Sequence, residues 1–304
     1  MKYCLGIDIG GTKTAVCIAD EALKPLKSEI FPTNPQKGAK DLVERITLAY
    51  HKLSDELSVD KDQVLFAGVA CPGPLDIKSG TIVHIATMGF RDVPIKAMLE
   101  KALGLTVFLE NDANCAALAE SVIGVGKGAD PLVYVTISTG VGCGIIVDGK
   151  ILSGAYSSAG EIGHLTVEPN GKECACGKKG CLELYSSGTA IADIATERMG
   201  TTISTKEVFS QARSGNKTMF SIVADAADKL GLALSSVEHL IDPKVIVLGG
   251  SVTKGYDVFA ETLRDALGRY TQPVKDRLFD IRISNFDGEQ VILGALIYAK
   301  QKYH

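Results

Sequence analysis

The feature that most constrains this chain is a unit that occurs twice. Residues 3–9 form a buried apolar strand, Gly10, Gly11 and Thr12 interrupt it, and residues 14–20 resume as a second strand. Residues 132–138 are again a buried strand, residues 139–142 are rich in glycine, and residues 143–147 form a strand ending at Asp148 and Gly149. Two strand, glycine turn, strand units predict two related lobes, each beginning with a hairpin whose turn lies close to another group.

Between the hairpins the pattern changes period. Leu42, Ile46, Ala49, Leu53 and Leu57 recur at helical spacing, and residues 64–70 form an apolar strand ending at Cys71, Pro72 and Gly73. A helix over 95–103, a strand over 107–110 and a helix over 113–122 repeat the crossover. Strands alternating with helices predict an α/β fold with a largely parallel sheet covered on both faces. Helical patterns follow at 190–199, 206–213 and 219–241, then the strand 245–248, the turn Gly249 and Gly250, and a last helix over 291–300. The expected division is an N-terminal lobe over 1–115, completed by a C-terminal helix over 291–304, and a C-terminal lobe over 116–290. With no Pro-rich or low-complexity linker, the lobes are expected to pack around a shared cleft as hinged bodies.

Composition excludes several functions. Of the 304 residues 46% are apolar, enough for a large core, and a net charge of −4 without a basic run argues against nucleic acid as a partner. The start of the chain reaches Gly, Asp and Gly before a signal-peptide apolar region forms, and no apolar stretch is long enough to span a bilayer, so the chain reads as cytoplasmic with no membrane partner.

Asp8, Gly10, Gly11, Thr12 and Lys13 occupy the first turn, where missing side chains let backbone N–H groups approach phosphate oxygens and the carboxylate can reach an accompanying magnesium ion. Alone, such glycines more often serve turn geometry. The second turn, Ser138, Thr139, Gly140, Val141 and Gly142, favours the phosphate reading, since two opposed loops can hold one polyphosphate.

Glu110, Asn111, Asp112, Ala113 and Asn114 stand where a strand gives way to a helix, the place beyond the carboxyl ends of parallel strands where ligands bind. An N-cap would account for Asn111 or Asp112 but not for the whole polar run. Asp112 is the candidate catalytic base, accepting a proton from a substrate hydroxyl while Asn111 holds a neighbouring one.

Of the eight cysteines, Cys4, Cys17, Cys71, Cys115 and Cys143 sit among apolar or glycine-rich neighbours and read as small buried hydrophobes. Cys174, Cys176 and Cys181 instead form a CxCxxxxC cluster that suits three thiolate ligands of a tetrahedral zinc, with His164 as the fourth ligand. Four protein ligands leave no open position, so the Zn2+ is structural. The alternative for His164 is a hydrogen-bonded core histidine. Glu183, two residues past Cys181, would be held by the metal loop.

DIGGTKT at Asp8, CPGPLD at Cys71, NDANCAALAE at Asn111, STGVGCG at Ser138, EIGH at Glu161, CACGKKGCLE at Cys174 and VLGGSV at Val247 resemble, in this order and over essentially the whole chain, the ROK family of sugar kinases and related repressors. The resemblance implies a two-lobed actin-like ATPase (ribonuclease H-like) fold with a cleft between duplicated lobes, and a homodimer. It implies an ATP-dependent transfer onto a hexose, with ATP held by Asp8, Gly10, Gly11, Thr12, Lys13, Thr139 and Gly140, the adenosine near Leu248 to Ser251 on Gly249 and Gly250, and Mg2+ accompanying the ATP. The sugar would be held by Gly73, Asn111, Asp112, Glu161, His164 and Glu183. Two places depart from the family pattern: Cys143, where relatives usually have glycine, and residues 286–290. Repressors of the family carry a helix-turn-helix domain ahead of the first phosphate loop, for which a strand starting near residue 3 leaves no room, so the kinase reading is preferred to the regulator.

The segment CPGPLDIKSGTIV resembles the glucokinase branch, whereas N-acetylmannosamine kinases tend to carry Ser, Thr, Gly there. Thr87, Met88, Gly89 and Phe90 stand where glucokinases usually have Asn, Leu, Gly, Trp, and a threonine hydroxyl offers a different hydrogen-bonding pattern from an amide. The expected substrate is glucose or a close aldohexose, phosphorylated at O6, with N-acetylmannosamine, fructose and allose as the alternatives.

Overall fold

A computed structural model describes residues 1–274 and 278–303. The chain divides into two compact units, the first comprising Met1–Val122, Ile151–Ala159 and Phe286–His304, the second Ile123–Lys150 and Gly160–Asn285. Position 304 of the expected C-terminal helix, and 275–277 of the expected second lobe, lie outside the described residues.

In the first unit β1 (Tyr3–Ile9) and β2 (Lys13–Asp20) form the expected hairpin, and β3 (Pro25–Pro32) extends it antiparallel. Helix α1 (Gly38–Leu57) follows, burying Leu42, Ile46, Ala49 and Leu53 at the spacing read from the sequence. It leads to β4 (Val64–Cys71), parallel to β1. A small antiparallel sheet of β5 (Leu75–Asp76), β6 (Thr81–Ile85) and β7 (Phe90–Val93) precedes α2 (Ile95–Leu103), β8 (Val107–Asn111) and α3 (Asp112–Val122). The main sheet has the order β3-β2-β1-β4-β8. Leu5, Ile7, Leu42, Ile46, Val69 and Leu109 share its core.

The second unit repeats this plan. β9 (Leu132–Ile137) and β10 (Val141–Val147) form the second hairpin, extended by β11 (Lys150–Ile151). Helices α4 (Glu183–Ser186), α5 (Gly188–Met199), α6 (Thr205–Arg213) and α7 (Lys217–Ile241) lead to β12 (Val245–Gly249), parallel to β9, and α8 (Tyr256–Tyr270) leads to β13 (Ile281–Ile283). The order β11-β10-β9-β12-β13 is that of the first sheet, with a hairpin strand at the centre and a parallel crossover strand beside it. This duplicated sheet is the one the actin-like ATPase fold requires. A core containing Val133, Ile137, Leu230, Leu234 and Leu263 lies on it.

Helix α9 (Gln290–Tyr303) returns to the first unit and packs on β1 and β4. The approach is close enough that a methyl on Gly68 of β4 would stand 2.3 Å from the Ala295 carbonyl oxygen, so only glycine fits there. No described helix is long and apolar enough to cross a membrane.

Candidate functional site

In the first unit the candidate residues gather at the carboxyl ends of three adjacent parallel strands. Asp8 of β1 is in register with Ala70 of β4, which is in register with Glu110 of β8, and Cys71 with Asn111. Asp8, Asn111 and Asp112 therefore stand at one edge of the sheet, and Gly73 lies two residues past the end of β4. Such an edge collects loops from neighbouring strands, which is why ligands bind there.

The first turn is closed by the Gly10 N–H donating to the Lys13 carbonyl at 2.9 Å. A methyl on Gly10 would stand 2.7 Å from that carbonyl oxygen, whereas one on Gly11 would meet nothing within 4 Å. Gly10 is thus explained by the turn itself. Packing within the protein gives Gly11 no such reason, and leaves its backbone open to a close ligand.

At the start of α3 the capping role falls to Asn111, whose Oδ1 accepts from the N–H of Ala113 at 2.9 Å and of Asn114 at 3.2 Å. The Asp112 carboxylate accepts from its neighbour's Ala113 N–H at 2.8 Å. Behind them Glu110, 1% exposed, accepts from the Asn111 N–H at 2.8 Å and the Asn114 side-chain amide at 3.0 Å, fixing the turn from below. Sequence reading noted Glu110 without a role; burial near the carboxyl end of β8 is what supplies one.

Burial sets the electrostatics. It raises the Asp112 carboxyl above the ordinary range, and it pushes Asp8 up to about 7, helped by the nearby negative charge of Asp112. Burial, with the charges of Asp112 and Asp8, also holds the Cys71 thiol well above its usual value, and burial with Glu110 does the same for Cys115. The cysteines flanking this edge are therefore neutral and unsuited to nucleophilic catalysis. Because folded Asp8 keeps its proton to about 7 while the unfolded side chain releases it near its ordinary value, the ligand-free protein loses stability as pH rises from about 4 to about 7. Asp8→Asn is expected to melt above the unmodified protein at pH 8, the difference vanishing toward pH 4; equal melting curves at both pH values would show that Asp8 titrates normally.

In the second unit both glycine turns again lie at the carboxyl ends of adjacent parallel strands, Thr139 and Gly140 after β9, Gly249 and Gly250 at β12. Beside them opens a cavity of about 440 Å³ lined by Ser138, Thr139, Thr189, Asp193, Thr205 and Ser251, among others. Sequence reading missed Thr189, Asp193 and Thr205. The available signal was a pair of helix N-caps, Ser187 accepting from the Ala190 N–H at 3.1 Å and Ser204 from the Glu207 N–H at 3.3 Å, which start α5 and α6 at this cavity.

Glu183, first residue of α4, reaches the second turn: its Oε2 accepts from the Val141 N–H at 3.0 Å and lies where a side chain on Gly140 would be, 2.3 Å from the would-be methyl. Glu161 directly precedes the short turn Ile162–His164, and its carbonyl accepts from the His164 N–H at 3.1 Å.

His164, Cys174, Cys176 and Cys181 converge, with all ligand atoms within 4.8 Å of one another. Cys176 and Cys181 sulfurs are 3.6 Å apart, and the Cys174 sulfur is 3.8 Å from His164 Nδ1. A tetrahedral zinc with Zn–S near 2.3 Å sets ligand atoms about 3.8 Å apart along each edge, so the four side chains fit it. Cys181 is fully buried, which pushes its thiol up to about 12, while the Lys178 N–H, foremost, pulls Cys176 down. A buried thiolate at Cys181 thus needs a bound cation for company.

The chain is similar along nearly its whole length to known proteins. A glucokinase of Halalkalibacterium halodurans is 34% identical, over 99% of this chain and 96% of its own. The crystal structure of a ROK hexokinase from Thermus thermophilus superposes with a TM-score of 0.84 at 34% identity, covering 99% of this chain and 98% of that one. A ROK family glucokinase from Streptomyces griseus, solved in complex with glucose and AMPPNP, gives 0.83 at 30% identity, covering 98% and 99%. Residues 4–302 match the ROK family as a whole, and with the duplicated sheets and the order of motifs along them, the chain belongs to that family.

Proposed function

We propose that the chain is an ATP-dependent hexokinase that transfers the γ-phosphoryl group of ATP to a hexose hydroxyl, O6 of glucose or a close aldohexose. The observation that carries this reading is the Asp112 carboxylate, held at the carboxyl edge of the first sheet with its pKa raised by burial, in a chain whose relatives include named glucokinases. A base is most effective when its pKa approaches the working pH, and burial moves Asp112 in that direction.

In the reaction the bond from the γ-phosphorus to the bridging oxygen of ATP breaks as a bond to the sugar oxygen forms, and Asp112 receives the hydroxyl proton. Of the sugar contacts read from the sequence, Asn111 and Gly73 belong to the first unit, and Glu161, His164 and Glu183 to the second. The phosphate contacts proposed for the first unit are Asp8, Gly10, Gly11, Thr12 and Lys13, those for the second are Thr139 and Gly140, and the cavity beside Gly249 and Gly250 suits the nucleoside. Mg2+ bound with the ATP would supply charge neutralisation at the phosphates, and Asp8 is the carboxylate that would hold it, since a cation offsets the cost of ionising a buried group beside Asp112. Catalysis on this scheme is positioning and charge stabilisation rather than covalent chemistry. His164, Cys174, Cys176 and Cys181 would hold a structural Zn2+ that fixes the segment leading to Glu183.

Sugar-dependent ADP release, measured across glucose, mannose, allose, fructose, N-acetylglucosamine and N-acetylmannosamine, tests the reading. The highest kcat/KM is expected for glucose or another aldohexose. A clear preference for fructose or N-acetylmannosamine would overturn the substrate and leave the kinase, while sugar binding without ADP release would overturn the kinase. Thr87, exposed in the turn that precedes β7, is the position at which exchange for Asn is expected to shift preference among the hexoses.

A further inference from the structure

We infer that Thr33 is a positioning residue that aims the backbone of the first glycine turn at the nucleotide. The inference rests on the nucleotide reading of that turn. Thr33 follows the last residue of β3 and is fully buried. It grips the turn at two points: its hydroxyl donates to the Gly10 carbonyl at 2.6 Å, and its N–H donates to the Thr12 carbonyl at 2.9 Å. These are the carbonyls immediately before and after the Gly11–Thr12 corner. A hydroxyl has one proton, so with it committed to Gly10 the 2.9 Å contact between the Thr14 and Thr33 hydroxyls is one in which Thr14 donates.

The consequence follows from peptide geometry. In a trans peptide the N–H points opposite to the C=O of the same plane. With the Gly10 carbonyl held against Thr33, the Gly11 N–H is turned away from Thr33, and Gly11 itself is exposed with nothing within 4 Å of where a methyl would stand. The donor that an incoming phosphate oxygen needs is thus oriented before the ligand arrives, and preorganisation of this kind lowers the cost of binding.

Thr33 is itself clamped from α1. The Arg45 guanidinium donates to the carbonyls of Pro32 and Thr33, pairs through Nε with Asp41 at 2.7 Å, and lies over the Phe31 ring with 5.2 Å to its centroid. The path from helix to turn is Arg45, then Thr33, then Gly10 and Thr12, and all of it lies within the first unit.

The test is calorimetric titration of MgADP into the full chain. Thr33→Val keeps size and backbone N–H but removes the hydroxyl; it is expected to weaken MgADP by about five- to tenfold, the worth of one well-made hydrogen bond. Thr33→Ser should restore affinity, and Thr33→Ala carries the same expectation as valine should the extra methyl not fit. Thr14→Val removes the neighbouring hydroxyl without freeing the Gly10 carbonyl, so it is expected to lower the melting temperature yet keep MgADP affinity within about twofold. Unchanged affinity in Thr33→Val and Thr33→Ala, or equal losses in Thr33→Val and Thr14→Val, would overturn the positioning role while leaving the nucleotide site. Absence of MgADP binding in the unmodified protein would overturn both readings at once.

Discussion

Asp112→Asn is expected to lower kcat by about 10²- to 10⁴-fold, the usual contribution of a positioned general base, while the KM for the sugar changes little. The exchange keeps shape and removes only the ability to take the proton. Stability should move the other way. Burial holds the folded Asp112 carboxyl above its ordinary pKa, so at pH 8 the ionised side chain costs the fold something that an amide does not. The variant should melt no lower than the unmodified protein. Its Asp8 also loses the neighbouring charge that helps push it up to about 7, so the loss of stability between about pH 4 and pH 7 should become shallower. Normal turnover in this variant would remove Asp112 from the mechanism, and a lowered melting temperature with normal sugar binding would show that its charge is stabilised rather than penalised.

Removal of the metal should be felt at two sites together. Purified protein is expected to carry about one equivalent of zinc per chain. Cys181→Ser, or a strong chelator, should release it. The backbone of Cys181 pairs with that of Thr166 in an isolated antiparallel β-bridge, and two residues later Glu183 accepts the Val141 N–H of the second glycine turn. Loosening the segment from His164 to Cys181 therefore loosens both a proposed sugar contact and the turn proposed to hold phosphate. Affinities for glucose and for MgADP should each fall by about 10- to 100-fold, the range seen when the partners supporting a metal site are lost. A selective loss of sugar affinity would show that Glu183 does not hold the turn, and fully active protein free of metal would reject the centre.

The central strands and their glycine turns were legible because buried parallel strands write themselves as short apolar runs cut by glycine, as in residues 3–9 and 245–248. The edge strand β3 was not read. Its sequence PLKSEIFP is mostly exposed and has no apolar run, yet it carries Phe31 and leads into Thr33. The small sheet of β5, β6 and β7 was missed because its strands are too short to show a period. Helix α8 was missed although Phe259, Leu263 and Leu267 recur every four residues and are all buried, so there the signal was present. Local chemistry fared well: the three cysteines lie within a few residues of one another and meet in space as their spacing implies. The cavity beside the second turn did not, because Thr189 and Asp193 come from the first two turns of α5 and Thr205 from the first residue of α6, and they are joined only by packing. Asn111, a proposed sugar ligand, also caps α3, so one of its two amide atoms is engaged before any sugar arrives.

The return of α9 to the first unit has a consequence for how the protein is made. A ribosome delivers β1 and β4 early, but the helix that covers them is translated after every other element of both units. Domains generally acquire structure in the order in which they emerge, the N-terminal one first. Here that order is inverted: the second unit has its whole sequence available before the first does. Until α9 arrives, the face of the sheet around Gly6 and Gly68, where Ile292, Ala295 and Leu296 will sit, stays bare on the nascent chain. Bare apolar sheet of this sort invites chaperones and aggregation. Lesions in α9 should therefore lower the yield of soluble protein in cells more than they lower the specific activity of the molecules that do mature.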